Sequence, residues 1–144
     1  MNPQILYPPQ IFDRNEWFIL IISAVFLIMI LLLPKRLSLV TITLLWLVNV
    51  SMAQTADFLI GKKPLQLYDY NDTEKLEWFD ILLYVLTYPS TAYIFLYIYD
   101  SFKAVFLSNR WKMAAFIAAS VLVAVGVETL SVYYHVFRYF RWNI

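Results

Sequence analysis

The sequence predicts an all-α integral membrane protein, with four transmembrane helices in an antiparallel bundle and one domain over residues 1–144. Two observations carry that prediction. Hydrophobic residues make up 62% of the chain and charged residues 15%, against about 25% charged in a typical soluble domain. The mean hydropathy is +0.65. A soluble chain of this length has too little interior to hide so much apolar surface, so the excess faces lipid. The second observation is four unbroken apolar runs, each near the roughly 20 residues that a helix needs to cross a hydrocarbon core of about 30 Å.

The first run, WFILIISAVFLIMILLL over 17–33, stops at Pro34-Lys35-Arg36. The second, over 37–60, stops at Gly61-Lys62-Lys63-Pro64. About three residues separate the two, which predicts an antiparallel hairpin. The third covers 78–99 and the fourth 113–134. All are rich in β-branched residues, but none alternates as a barrel strand must. Helices satisfy their own backbone in lipid, which favours four spans. Trp17, Trp78, Trp111 and Trp142 fall where interfaces should be, whereas Trp46 sits mid-segment and reads as a packing residue. Pro89 in the third run has no N–H and crowds the carbonyl of Val85, which predicts a kink, held by packing or used as a hinge. The N-terminus lacks a basic leader region and a small-residue cleavage site, so the first run is expected to stay as an anchor.

Composition also excludes chemistry. Cysteine is absent, which removes disulfides and thiolate metal sites. One histidine cannot build an HExxH zinc site, and two glycines cannot build a phosphate-cradling loop. A net charge of +1 without a basic run argues against nucleic acid. No nucleophile motif is present. Glu128 and His135 lie roughly 10 Å apart along a helix, too far for a direct acid–base pair, so an enzyme is disfavoured. No cofactor or metal is indicated by any motif.

Four spans put both termini on one face, called face B, together with the loop 61–77. Face A holds the 34–36 turn and a loop over 100–112. Face A carries Lys35, Arg36, Lys103, Arg110 and Lys112; face B carries Arg14, Lys62, Lys63, Lys75, Arg138 and Arg141. The numbers nearly balance, but the positive charges of face A crowd short loops. That favours face A in the cytoplasm and both termini outside, in a bacterial cytoplasmic membrane. The acids Asp13, Glu16, Asp69, Asp72, Glu74 and Glu77 are all on face B, with a turn at Tyr70-Asn71-Asp72.

Polar groups inside the runs locate a candidate site. Ionisable side chains in a membrane are costly and usually face a bundle interior or a wet cavity. At 100° per residue, Glu128, Ser131 and His135 share one face of the fourth run. Ala115, Ala119 and Gly126 form a small-residue face opposite, so this helix is expected to be buried on two sides. The second run aligns Trp46, Val50, Ala53 and Asp57, with Asn49 and Gln54 flanking; the third aligns Asp80, Tyr84, Tyr88, Thr91 and Phe95. At about 1.5 Å per residue, Asp57 lies roughly 30 Å past Leu37 and Glu128 roughly 24 Å past Lys112. Asp57, Asp80, Glu128 and His135 therefore all approach face B.

Two readings follow. These groups satisfy one another, Glu128 bonding to a tyrosine or Asn49 or pairing with Arg138, Lys62 or Arg14. Alternatively they form a pocket for a small ligand, an ion or a lipid, with Tyr84 and Tyr88 orienting a polar head. A structural or assembly subunit is the rival, its intramembrane polar residues touching partner helices. The expected partners are membrane lipid and a second copy or another membrane protein.

The tail VETLSVYYHVFRYFRWN and the stretch LEWFDILLYVLTYP resemble a family of small polytopic membrane proteins found mainly in spore-forming Firmicutes. The specific part of the resemblance is Glu128, Tyr139 and Trp142, with Trp78 and Tyr88-Pro89. In that family another apolar segment often follows the tryptophan; here Ile144 comes two residues later, and a further helix would invert the parity of the topology. The resemblance implies no reaction, ligand or active site.

Overall fold

The computed structural model describes residues 6–9, 11–61, 64–70 and 76–140. Lys62, Lys63, Lys75, Arg141, Trp142 and the turn at 71–72 lie outside the described residues. The fold is mostly helical, with four helices long and apolar enough to cross a membrane: α1 (Arg14–Leu32), α2 (Leu39–Gly61), α3 (Trp78–Ser108) and α4 (Arg110–Tyr133). Two short strands, β1 (Tyr68–Tyr70) and β2 (Phe137–Tyr139), complete it.

Local chemistry sets the helix starts. At α1, Asp13 and Glu16 form a capping box, in which the Asp13 N–H donates to Glu16 Oε2 at 2.7 Å. At α2, Ser38 Oγ accepts the Thr41 N–H at 3.1 Å. Glu77 and Asp80 repeat the capping box at α3, and Asn109 caps α4 by accepting the Trp111 N–H at 2.8 Å.

Three expectations need correction. The third helix does not stop at residue 99 but runs on to Ser108, and its 31 residues span about 46 Å. The loop over 100–112 shrinks to Asn109, so Lys103, Arg110 and Lys112 sit on helices, and Asp100 pairs with Lys103 at 3.0 Å. The polar and basic residues after Tyr99 end the apolar run without ending the helix. The connection between α1 and α2 is longer than three residues, because the first helix ends at Leu32 and the second begins at Leu39. Both helices pack mainly on α3 rather than on each other, and α3 also takes α4. The arrangement is a central helix with three neighbours, so α4 is not buried on two sides; Ser131 is its only buried residue among those described.

Pro89 does not end α3. The turn just upstream, Leu83–Thr87, is π-helical, which adds a residue and shifts the facing of everything beyond it. The stripe Asp80, Tyr84, Tyr88, Thr91, Phe95 assumed a regular α-helix and is broken by this turn. Pro89 has no N–H to give the Val85 carbonyl, and the Trp46 indole Nε1–H donates to that carbonyl instead, at 2.9 Å. Trp46 also meets Tyr93 edge to face, at 6.3 Å between ring centroids. It is therefore a packing residue with a specific donor role.

Burial is inverted relative to a soluble domain. Buried positions are largely polar: Asn15, Glu16, Ser23, Glu77, Asp80, Thr87, Ser90 and Ser131. Long apolar side chains such as Leu31, Leu32, Leu39 and Leu122 stay more than two-thirds exposed. The small apolar core, Ile19, Leu83 and Val136 with Phe18, Phe79 and Phe137 around it, lies at the face-B end. There the N-terminal arm joins α3 through Tyr7, whose N–H donates to the Leu76 carbonyl and whose carbonyl accepts the Trp78 N–H.

Candidate functional site

The face-B end is shaped by how α4 stops. The His135 N–H donates to the Val132 carbonyl and the Val136 N–H to the Ser131 carbonyl, the paired bonds of a Schellman ending. His135 occupies the left-handed position, with φ at 63°. Val136 follows, buried in the apolar core. The chain thus reverses and sends β2 back along the bundle end. There β2 pairs antiparallel with β1, aligning Tyr68 with Tyr139, Asp69 with Arg138 and Tyr70 with Phe137.

This pairing organises the polar groups. Tyr68 and Tyr139 stand side by side, their ring centroids 5.9 Å apart. The Tyr68 hydroxyl donates to Asp57 on α2, and the Tyr139 hydroxyl donates to Glu128 on α4. Asp57 also accepts the hydroxyl of Tyr84 from α3. Tyr84 lies 6.3 Å, centroid to centroid, from Tyr88. Tyr88 lies within electrostatic reach of Asp57, Asp80, Tyr139 and Glu128. Three helices and a two-stranded cap thus join two carboxylates through phenols. Burial, reinforced by the bond to Asp57, holds the Tyr68 phenol well above its ordinary pKa. Tyr139 is raised in the same way, by burial first and Glu128 second. Both phenols remain donors across the physiological range.

The predicted residues divide into three groups. Asp57, Tyr84, Tyr88 and Glu128 come together around the paired tyrosines. Asp80 is buried close by, where it accepts the Glu77 N–H at 2.7 Å as part of the capping box. His135 does not share a helical face with Glu128; the helix ends at Tyr133 and His135 is exposed in the turn, spent on the chain reversal. Asn49 donates to its own helix, to the Leu45 carbonyl at 2.8 Å. Gln54 is exposed, in an open groove with Ser51, Thr55, Phe58 and Leu59. Neither Asn49 nor Gln54 belongs to the cluster.

The reading of residue types missed Tyr68 as a partner of Asp57, and Tyr139 entered only through the resemblance. A three-residue strand has too few positions for its alternation to register, and nothing local says that residues 68 and 139 pair. Glu16 and Glu77, two of the face-B acids, are fully buried. Their Asp-x-x-Glu and Glu-x-x-Asp spacing was a legible capping signal.

No protein-family model, curated protein or solved structure matches this chain. Among the described residues no group of three or more acids and histidines has the closeness of a preformed metal cage. Neither Asp57 nor Glu128 has a basic side chain as partner among the described residues.

Proposed function

We propose that this chain is a small polytopic protein of the bacterial cytoplasmic membrane that binds a small cation, free or carried on a ligand or lipid head group. The site is the Asp57–Glu128 end of the bundle. One observation carries the reading: two carboxylates from separate helices meet adjacent phenols and, among the described residues, no basic partner. Asp57 is half-buried and Glu128 exposed on α4, so both leave water only where the bilayer covers this end; there a carboxylate is costly unless protonated or opposed by positive charge. A proton satisfies either group alone; a bound cation between them satisfies both. Tyr88 adds a hydroxyl at the same place. The resemblance to the Firmicutes membrane family fits a protein of this size and layout.

In this reading the helices cross the bilayer in alternating directions. Lys35, Arg36, Lys103, Arg110 and Lys112 stay cytoplasmic, and the site opens to the outer face with both termini.

The test uses the purified chain in lipid nanodiscs. Thermal unfolding is followed at pH 7.5 with sodium, potassium, magnesium, calcium or choline chloride at matched ionic strength. One cation should raise the unfolding midpoint saturably, by the equivalent of about 2.7 kcal/mol at a hundred times its dissociation constant. Asp57→Asn combined with Glu128→Gln should abolish the rise. The reading fails if every salt acts alike, or if the rise survives in the double variant. A second reading, an assembly role, is favoured by the polar outer face of α2.

A further inference from the structure

The outward face of α2 carries a periodic pattern. Val40, Leu44, Leu47, Ser51 and Gln54 follow one another at spacings of 4, 3, 4 and 3, up to the π-helical turn that begins at Asp57. This is the heptad seam of a left-handed helix pair, about two heptads long. Every one of these residues is exposed, Val40 at 69%. The seam lies about a third of a turn round the helix from the stripe of Trp46, Val50 and Ala53, which is half-buried toward α3.

A second observation is independent of the spacing. Elsewhere in the long helices, Thr91, Ser120, Thr129 and Ser131 each donate to the carbonyl four residues earlier, and Asn49 to that of Leu45. Those groups need nothing more from their surroundings. The side chains of Ser51, Gln54 and Thr55 make no hydrogen bond among the described residues. Facing lipid, a free primary amide loses its bonds to water and gains none.

We propose that this seam is the interface for a second copy of the same chain. The inference rests on the membrane-spanning reading above. Two copies inserted alike hold their α2 helices parallel about a two-fold axis along the membrane normal, so each seam position meets itself. An amide both donates and accepts, so Gln54 of one copy satisfies Gln54 of the other, and Ser51 does the same one turn away. A polar side chain at one core position of such a pair also fixes register. The pair leaves the carboxylate–tyrosine site of each copy free.

The absence of native cysteine makes the test clean. The full chain is reconstituted in phosphatidylcholine vesicles with single substitutions Leu44→Cys, Leu47→Cys, Ser51→Cys or Gln54→Cys. Met52→Cys on α2 and Val121→Cys on α4 are exposed controls off the seam. Mild oxidation should give at least fivefold more disulfide dimer along the seam than at the controls. In a separate measurement, energy transfer between labelled copies gives the dimer dissociation constant. Gln54→Leu should weaken it about three- to tenfold, the range of one interhelical hydrogen bond, and Gln54→Asn should restore part of the loss. Carbonate extraction of the same vesicles reports insertion, so failure of the membrane reading is visible by itself. Inserted protein that cross-links evenly, or not at all, overturns the proposal. So does a Gln54→Leu dimer as tight as the parent. A purified chain that stays monomeric in vesicles would point to a different protein as the occupant, and would also overturn it.

Discussion

Trp46→Phe is the most informative single change outside the site. It keeps an aromatic ring facing Tyr93 but removes the Nε1–H that reaches the Val85 carbonyl across 2.9 Å. That carbonyl is available because Pro89, four residues on, has no N–H. Loss of an ordinary hydrogen bond costs about 0.5–1.5 kcal/mol, and a carbonyl left unpaired in a dry site costs about 1–3. Interhelical bonds in membranes average about 0.6 kcal/mol and reach about 1.7. The smaller ring adds a few tenths in lost contact with Tyr93. We expect a total of about 1.5 kcal/mol, all on the α2–α3 contact. The decisive comparison is a double-mutant cycle with Pro89→Ala, which supplies the missing backbone N–H. In the Pro89→Ala background, Trp46→Phe should cost less than about 0.5 kcal/mol, a coupling of about 1 kcal/mol. Reversible unfolding in mixed detergent micelles gives the four free energies. Equal costs in both backgrounds would refute the reasoning, because the indole would then not be replacing the proline's lost donor.

Other predictions follow from named contacts. The folded state holds the Tyr68 and Tyr139 phenols protonated above their ordinary pKa of about 10. The folded state therefore keeps protons that the unfolded state releases in alkali. The stabilisation is full below pH of about 10 and is lost as pH rises beyond it. The unfolding midpoint should fall between pH 9.5 and about 11, and fall less in Tyr68→Phe/Tyr139→Phe; parallel curves would refute this. Ser23 and Thr87 share a buried hydrogen bond of 2.7 Å between α1 and α3. Thr87→Val should cost about 1–3 kcal/mol by stranding the Ser23 hydroxyl, and adding Ser23→Ala should cost little more. A double variant that loses the full sum of both single costs would count against that bond. His135→Gly should stabilise by about 0.5–1 kcal/mol, since glycine takes the left-handed backbone without strain. A destabilised His135→Gly would mean that the imidazole makes a contact of its own.

By itself the sequence determined the four apolar helices and the level of their carboxylates. Apolar run length and the 1.5 Å rise are local quantities, so Asp57 and Glu128 could be ranked in depth from spacing alone. It also carried, unread, the capping boxes at Asp13 and Glu77, whose signals span only four residues. Helix ends were less legible, because Asp100, Ser101 and Lys103 interrupt the apolar run while the backbone stays helical to Ser108. Only the tertiary structure decided the partners. Tyr68 meets Tyr139 because His135 turns the chain at the end of α4, a position where glycine is the usual signal. The π-helical turn before Pro89 shifted every later side chain of α3 off the regular wheel. Helical periodicity says which residues share a face, but which face meets which depends on contacts far apart in the chain. So Glu128 was placed at the correct end of its helix from sequence, while the phenol that holds it, eleven residues on, was identified only once the chain had folded back.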